Sequence, residues 1–355
     1  MNALLVTSTD AGIGKTAIAL ALAAEARDRD REVGYMKPTG TRLRSATGKT
    51  RDEDPMLARE LLDLDAEMHE LEPVVYSPTF VREVMRGRED PGEVRSRVVD
   101  SFETLAAETD LMVVEGSDGL ATGSVIDLTD VDLAEAIDAG VLLVAGYDEV
   151  GDVDEVLAAA EQLGERLAGV VFNRVADAAI DELTEDVVPF LEGRGVPVFG
   201  LVPRDEELAG VPVADLAESL GAEVVSGDAT LDARVERFTV GAMGSDSALG
   251  QFRRTRNAVM IAGGDRADVQ AAALEAPGVE ALLLTGGFRP PESVLGRARD
   301  EGVPVLLVQS DTRTTVDRVE GVLHSGRTRT ERTVERAREL LAESVDVDRL
   351  LSPAE

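Results

Sequence analysis

A chain of 355 residues, 44% of them hydrophobic, is long enough to bury two separate cores, so two domains are expected. The absence of cysteine excludes disulfides, thiolate nucleophiles and cysteine-ligated zinc. The formal net charge of −33 excludes the basic surface that nucleic acid or an anionic bilayer requires, and no stretch approaches the roughly 20 apolar residues of a membrane span.

The chain opens directly on Ala3-Leu4-Leu5-Val6, with no basic leader, which reads as a strand of a cytoplasmic protein rather than a secretion signal. Further strands are predicted at 33–37, 111–115, 141–145, 168–172 and 197–201. Several are unbroken Val, Leu and Ile runs, the pattern of strands covered on both faces of a parallel sheet. Helical patterns at 16–30, 54–63, 93–108, 152–163 and 213–220 separate them. That alternation predicts a doubly wound, mainly parallel α/β sheet. The polar stretch 41–53 reads as a mobile loop above it. A second, smaller α/β unit follows, with apolar runs at 258–262, 281–285 and 304–308 between helical segments 266–274, 291–300 and 312–319. The charged segment 326–345, ending in Ala337-Arg338-Glu339-Leu340-Leu341, reads as a terminal amphipathic helix. The expected domains are therefore 1–222 and 223–330, followed by a helix and acidic tail over 331–355.

The first strand runs into Ser8-Thr9-Asp10-Ala11-Gly12-Ile13-Gly14-Lys15-Thr16, after which an Ala/Leu-rich helix begins. A glycine-containing loop between a strand and a helix N-terminus forms an anion cradle of backbone N–H groups, reinforced by the helix dipole. Gly14 permits close approach, Lys15 supplies an ammonium, and the Thr16 hydroxyl suits Mg²⁺. The loop is a variant, with Thr9 where the standard pattern has glycine.

Lysine is scarce: Lys15, Lys37 and Lys49 are the only three among 36 basic residues, and the rest are arginine. Lys37, in Tyr35-Met36-Lys37-Pro38, closes the second strand on the ligand side of the sheet. Asp54, before Pro55, reads as a helix N-cap, with Asp52 a weaker candidate carboxylate beside it. Glu115 ends the strand 111–115, where a buried carboxylate needs a cation nearby. Asn173 ends another strand. Its amide suits either a turn or the edge of a base, and Pro203 follows the next strand. In the second unit, Asp265-Arg266 and Thr285-Gly286-Gly287 each follow a strand and are either turn chemistry or ligand contacts. His69 and His324, the only histidines, read as ordinary structural residues.

The loop resembles that of dethiobiotin synthetases, roughly T-D-T-x-V-G-K-T, which Thr9 to Thr16 matches at five of eight positions. The resemblance implies a P-loop NTPase-type domain binding ATP through Thr9, Asp10, Gly12, Ile13, Gly14, Lys15 and Thr16. It further implies that Asn173 and Pro203 flank the base and that Thr16, Asp54 and Glu115 serve Mg²⁺. Lys15, Lys37 and Glu115 become the catalytic candidates. Asp265-Arg266 with Thr285-Gly286-Gly287 resembles the DRTGG domain. The tandem is similar to the N-terminal region of long phosphotransacetylases, as is Glu115-Gly116-Ser117-Asp118. No acetyltransferase domain follows here, so acetyl transfer is not expected. The acid-rich, lysine-poor and aromatic-poor composition resembles that of proteins from salt-loving archaea and implies folding that depends on molar salt.

These readings combine into a homo-oligomeric Mg-ATP-binding regulator of acetyl-CoA or central metabolism, with an acyl-CoA-metabolising enzyme as partner and slow ATP hydrolysis. Two alternatives are an ATP-dependent carboxylate or carbamate ligase and a dimerising scaffold.

Overall fold

The computed structural model describes residues 3–41, 43–46, 49–226, 231–241, 250, 252–325 and 331–351. They form two compact units, Met1–Asp205 with Thr328–Glu355, and Glu206–Arg327.

The first unit is built on β1 (Ala3–Ser8), α1 (Lys15–Asp28), β2 (Val33–Met36), α2 (Glu53–Leu61), β3 (Leu111–Glu115), α3 (Asp130–Ala136), β4 (Gly140–Ala145), β5 (Leu167–Val175) and β6 (Val198–Pro203). Six strands pair in the order β6-β5-β4-β1-β3-β2, and every pairing is parallel. The doubly wound reading therefore holds. β1 is central, with β3 on one side and β4 on the other. The chain fills the β3–β2 side first and then crosses to β4, so the direction of winding reverses at β1. A crevice opens at such a reversal, outside the carboxyl ends of the strands. Register places Val6 level with Glu115 and Ser8 level with Val144.

The helix α1 is apolar around most of its circumference, not along one stripe. Ala17 to Ala23 are all buried in succession. Such a helix needs cover on two sides. The sheet covers one side, and α7 (Glu331–Ser344), which also contacts β6, packs against α1.

The second unit contains α4 (Val213–Leu220), β7 (Arg237–Val240), β8 (Ala258–Gly263), α5 (Ala267–Ala273), β9 (Val279–Thr285), β10 (Val305–Leu307) and α6 (Thr312–Ser325). Strands β7 to β10 are parallel, and Glu223–Val224 adds an antiparallel edge to β10, giving a mixed α/β sheet.

Two details differ from the sequence reading. The boundary between units falls after Asp205 rather than near 222, because the apolar face of α4 (Val213, Leu216, Ala217 and Leu220) packs with Val259, Ile261 and Leu283 of the second sheet. The stretch read as a loop contains an antiparallel pair, Leu43–Ala46 with Lys49–Asp52, whose residues carry no apolar alternation to announce it. Among the described residues no helix is long and apolar enough to cross a membrane.

Candidate functional site

The loop after β1 is shaped by two glycines in left-handed backbone, Gly12 at φ +77° and Gly14 at φ +96°. Only glycine takes such values without strain. The Thr9 amide donates to Val144 O at 3.2 Å and the Ser8 hydroxyl donates to Asp10 O at 2.9 Å. The exposed Asp10 accepts from the Ala11 amide at 2.7 Å, so its carboxylate shapes the loop itself. Ile13 packs its side chain over Gly146. Lys15 and Thr16, at the first turn of α1, are both buried. The Lys15 ammonium donates to Ser117 O and lies 3.5 Å from Ser8 Oγ. Burial lowers its pKa, and the Glu115 and Asp130 carboxylates work against that fall.

Beside the loop lies a buried ionic cluster. Lys37 is paired with Asp54, with Asp52 Oδ2 at 3.0 Å and with Glu115 Oε1 at 3.4 Å. All four side chains are at most 4% exposed, so solvent does not screen them. The Thr16 hydroxyl is 2.7 Å from Glu115 Oε1 and 3.3 Å from Asp54 Oδ2. Burial opposes the Lys37 charge, but Asp54, Glu115 and Asp52 outweigh it and hold its pKa above the ordinary lysine value. Burial raises the Glu115 pKa, against the pull of Lys37.

The N-cap of α2 is Asp52, not Asp54. Asp52 accepts from the Asp54 amide at 2.9 Å and from the Thr41 amide at 2.9 Å, which leaves the Asp54 carboxylate facing Lys37 and Thr16. Tyr35 escaped notice in the sequence. Its fully buried hydroxyl donates to Glu115 Oε2 at 2.7 Å. The period of two along β2 puts it on the same side as Lys37, a signal that could have found it. Burial and then Glu115 push its phenol well above the usual range, so it stays a donor.

Asp130 is a second unanticipated residue. It starts α3, is 1% exposed, and accepts from the Thr7 hydroxyl and from the Ser117 amide at 3.0 Å. It thus ties the end of β1 to the loop after β3. Ser117 completes the link through its carbonyl to Lys15 and its hydroxyl to Thr39. A Cβ on Gly116 would collide with the Asp130 carboxylate. Gly116→Ala is therefore expected to lower stability by about 1–3 kcal/mol through overpacking, measured by denaturant unfolding. An unchanged midpoint would show that Asp130 can move.

At the far side of the loop, Asn173 near the end of β5 donates from Nδ2 to Ile13 O at 2.7 Å, and Arg174 donates to Gly12 O at 3.1 Å. Pro203 pairs with Val175 across the neighbouring strand end. In the second unit the loops carrying Asp265-Arg266 and Thr285-Gly286-Gly287 meet at the carboxyl edge of β8 and β9, where the Gly264 amide donates to Thr285 O at 3.1 Å. Arg266 faces Asp268 at 3.4 Å. The Thr285 hydroxyl meets that of Thr312 at 2.8 Å, and Gly286 and Gly287 take φ of +81° and +73°. Among the described residues no group of three His, Asp or Glu side chains forms a ready metal cage, and the His324 side chain lies outside the described residues.

Residues 2–211 match the AAA_26 model, an AAA domain, and residues 215–322 match the DRTGG domain. A phosphate acetyltransferase of Pseudomonas putida is 25% identical over 342 residues, covering 90% of this chain and 47% of that protein. The chain thus spans about half the length of the phosphate acetyltransferases it matches. An ATP-dependent dethiobiotin synthetase of Methanocaldococcus jannaschii is 25% identical over 212 residues, 58% of this chain and 95% of that protein. Another, of Aromatoleum aromaticum, is 29% identical over 225 residues, 61% of this chain and 96% of that protein.

Proposed function

The chain belongs to the AAA_26 family, with a P-loop NTPase-like domain followed by a DRTGG domain, and from that premise we propose that it binds Mg-ATP and acts as a regulatory protein. The observation that carries this reading is the convergence of Lys15 and Thr16 with Lys37, Asp54 and Glu115 on one buried floor at the carboxyl edge of β1 and β3. The loop amides and the α1 dipole would hold the phosphates. Lys15 would exchange its contact with Ser117 O for phosphate oxygens. The hard oxygen donors of Thr16, Asp54 and Glu115 fit Mg²⁺, which is commonly held by one or two carboxylates together with substrate phosphates. The ion would neutralise phosphate charge. Asn173 and Pro203 would border the base.

The reading extends to slow ATP hydrolysis, homo-oligomerisation and an acyl-CoA-metabolising partner in acetyl-CoA metabolism. What supports it is the similarity to phosphate acetyltransferases across a little less than half of their length. The edge formed by Asp265, Arg266, Thr285, Gly286 and Gly287 is proposed to receive the sensed metabolite. Calorimetry at pH 7 in molar KCl should show Mg-ATP binding, and Lys15→Ala should weaken it roughly 10- to 100-fold, the worth of a hydrogen bond to a charged group. A wild-type protein that binds no Mg-ATP would end the proposal.

A second reading rests on Lys37, which brings another ammonium to the same floor. It is an ATP-dependent carboxylate or carbamate ligase of the dethiobiotin synthetase type, with Lys15, Lys37 and Glu115 stabilising charge during phosphoryl transfer. ADP release dependent on diaminopelargonate separates the two readings.

A further inference from the structure

An anion cradle works only when the loop's N–H groups converge and its carbonyls turn outward. Outward carbonyls that are partly buried need donors. Here the two that matter belong to Gly12 and Ile13, and both accept from the same short segment near the end of β5. Asn173 Nδ2 donates to Ile13 O at 2.7 Å and Arg174 Nη1 donates to Gly12 O at 3.1 Å. The fit is close. Asn173 lies where a Cβ on Gly14 would stand, so the side chain and the loop backbone are in direct contact. Arg174 also takes φ +63°, a left-handed backbone that residues with a Cβ rarely adopt. A strand continuing normally would send residue 174 elsewhere. The left-handed step lets two consecutive side chains of β5, which alternation would place on opposite faces, reach two consecutive carbonyls of one loop. Burial and then the neighbouring charge of Arg204 disfavour the Arg174 guanidinium, yet the contact to Gly12 is kept.

We infer that Asn173 and Arg174 are positioning residues that clamp the Ile13 and Gly12 carbonyls outward and so preshape the loop for a polyphosphate. The inference rests on the nucleotide-binding reading and deepens it. The ligand class is the phosphate chain itself, independent of the base. Arg174 thereby acts through the loop and does not touch the nucleotide.

The test compares Mg-ATP with Mg-tripolyphosphate, which has no base, by calorimetry on the full chain in molar KCl. Arg174→Gly removes the guanidinium while suiting the left-handed backbone, so the melting temperature should not fall. Affinity for both ligands should fall by the same factor, about tenfold, the worth of one hydrogen bond from a charged donor. Asn173→Ala should weaken both, and Mg-ATP the more, since Asn173 also borders the base in the nucleotide reading. Loss confined to Mg-ATP in Arg174→Gly would make Arg174 a base contact and overturn the inference, as would unchanged affinities for both ligands. If the wild-type chain binds neither ligand, the nucleotide reading has failed and the inference falls with it. If wild type binds both and the variants match it, only the clamp is lost.

Discussion

Lys37→Met is expected to lower the unfolding free energy at pH 7 by about 3–5 kcal/mol, the usual result of stranding buried charge by removing one partner. The substitution keeps most of the volume and removes an ammonium that touches Asp52, Asp54 and Glu115 together. Those carboxylates are buried and remain behind, so the loss comes from their desolvation and mutual repulsion more than from packing. The pH dependence identifies the cause. A carboxylate whose folded pKa is raised above its unfolded value binds protons more tightly in the native state. Its contribution to stability is present below the unfolded pKa and is lost as pH rises through the folded one. Glu115 and Asp130 are both raised, burial being the largest cause in each. Both therefore disfavour the fold at neutral pH in the nucleotide-free protein. Without Lys37 the Glu115 pKa moves further up, since the charge that pulled it down is gone. The deficit of the variant relative to wild type should narrow as pH falls from 8 toward 5 at fixed KCl, read by denaturant unfolding at each pH. A deficit that stays flat across that range would assign the loss to packing and sink the electrostatic account.

The sequence exposed those parts of the site that are local or periodic. The segment from Thr9 to Thr16 is contiguous, so its strand, loop and helix could be read together. Lys37 and Glu115 were legible because a charged residue ending an apolar strand has one chemically sensible destination. Asp54 was legible as a carboxylate at a helix start, but not as the partner of Lys37, because Asp52 and Asp54 are equally good caps until the chain is folded. Asp130 was hidden for another reason. Thr129 and Asp132 form a capping box around it, so local chemistry explains an acid in that first turn without reference to Thr7, 123 residues away. The left-handed backbone of Arg174 leaves no trace in composition, and a buried phenol such as Tyr35 looks like any core aromatic. Periodicity tells which face is buried and is silent about what it meets. The same limit explains the unit boundary, since α4 has a clear apolar stripe that either sheet would have satisfied.

That limit matters most for the segment that returns from the second unit to the first. Truncation after Arg327 is expected to abolish cooperative folding of the first unit, although the AAA_26 match ends at residue 211. Its helix α7 buries Val334, Ala337, Leu340 and Leu341, a stripe at helical spacing, against the surface of α1 that the sheet leaves uncovered. Beyond it, Val345 pairs with Gly200 on β6, the Asp346 amide donates to Phe199 O at 2.9 Å, and Val347, Leu350 and Leu351 are buried. Each fully buried Val or Leu contributes about 1.5–3 kcal/mol. The seven such side chains between Val334 and Leu351 together match or exceed the roughly 5–15 kcal/mol by which a domain is stable. The ion pairs Arg338–Asp28 and Arg336–Asp205 add little, being partly exposed. Since Lys15 and Thr16 open α1, the loss reaches the phosphate loop as well. A milder variant keeps the idea testable if the truncated chain cannot be recovered. Leu341→Ala should lower stability by about 2–5 kcal/mol, as buried leucines do, and should weaken Mg-ATP binding in proportion to the unfolded fraction. A chain ending at Arg327 that melts cooperatively within a few degrees of the full protein, in the same KCl, would show that α1 finds its cover elsewhere.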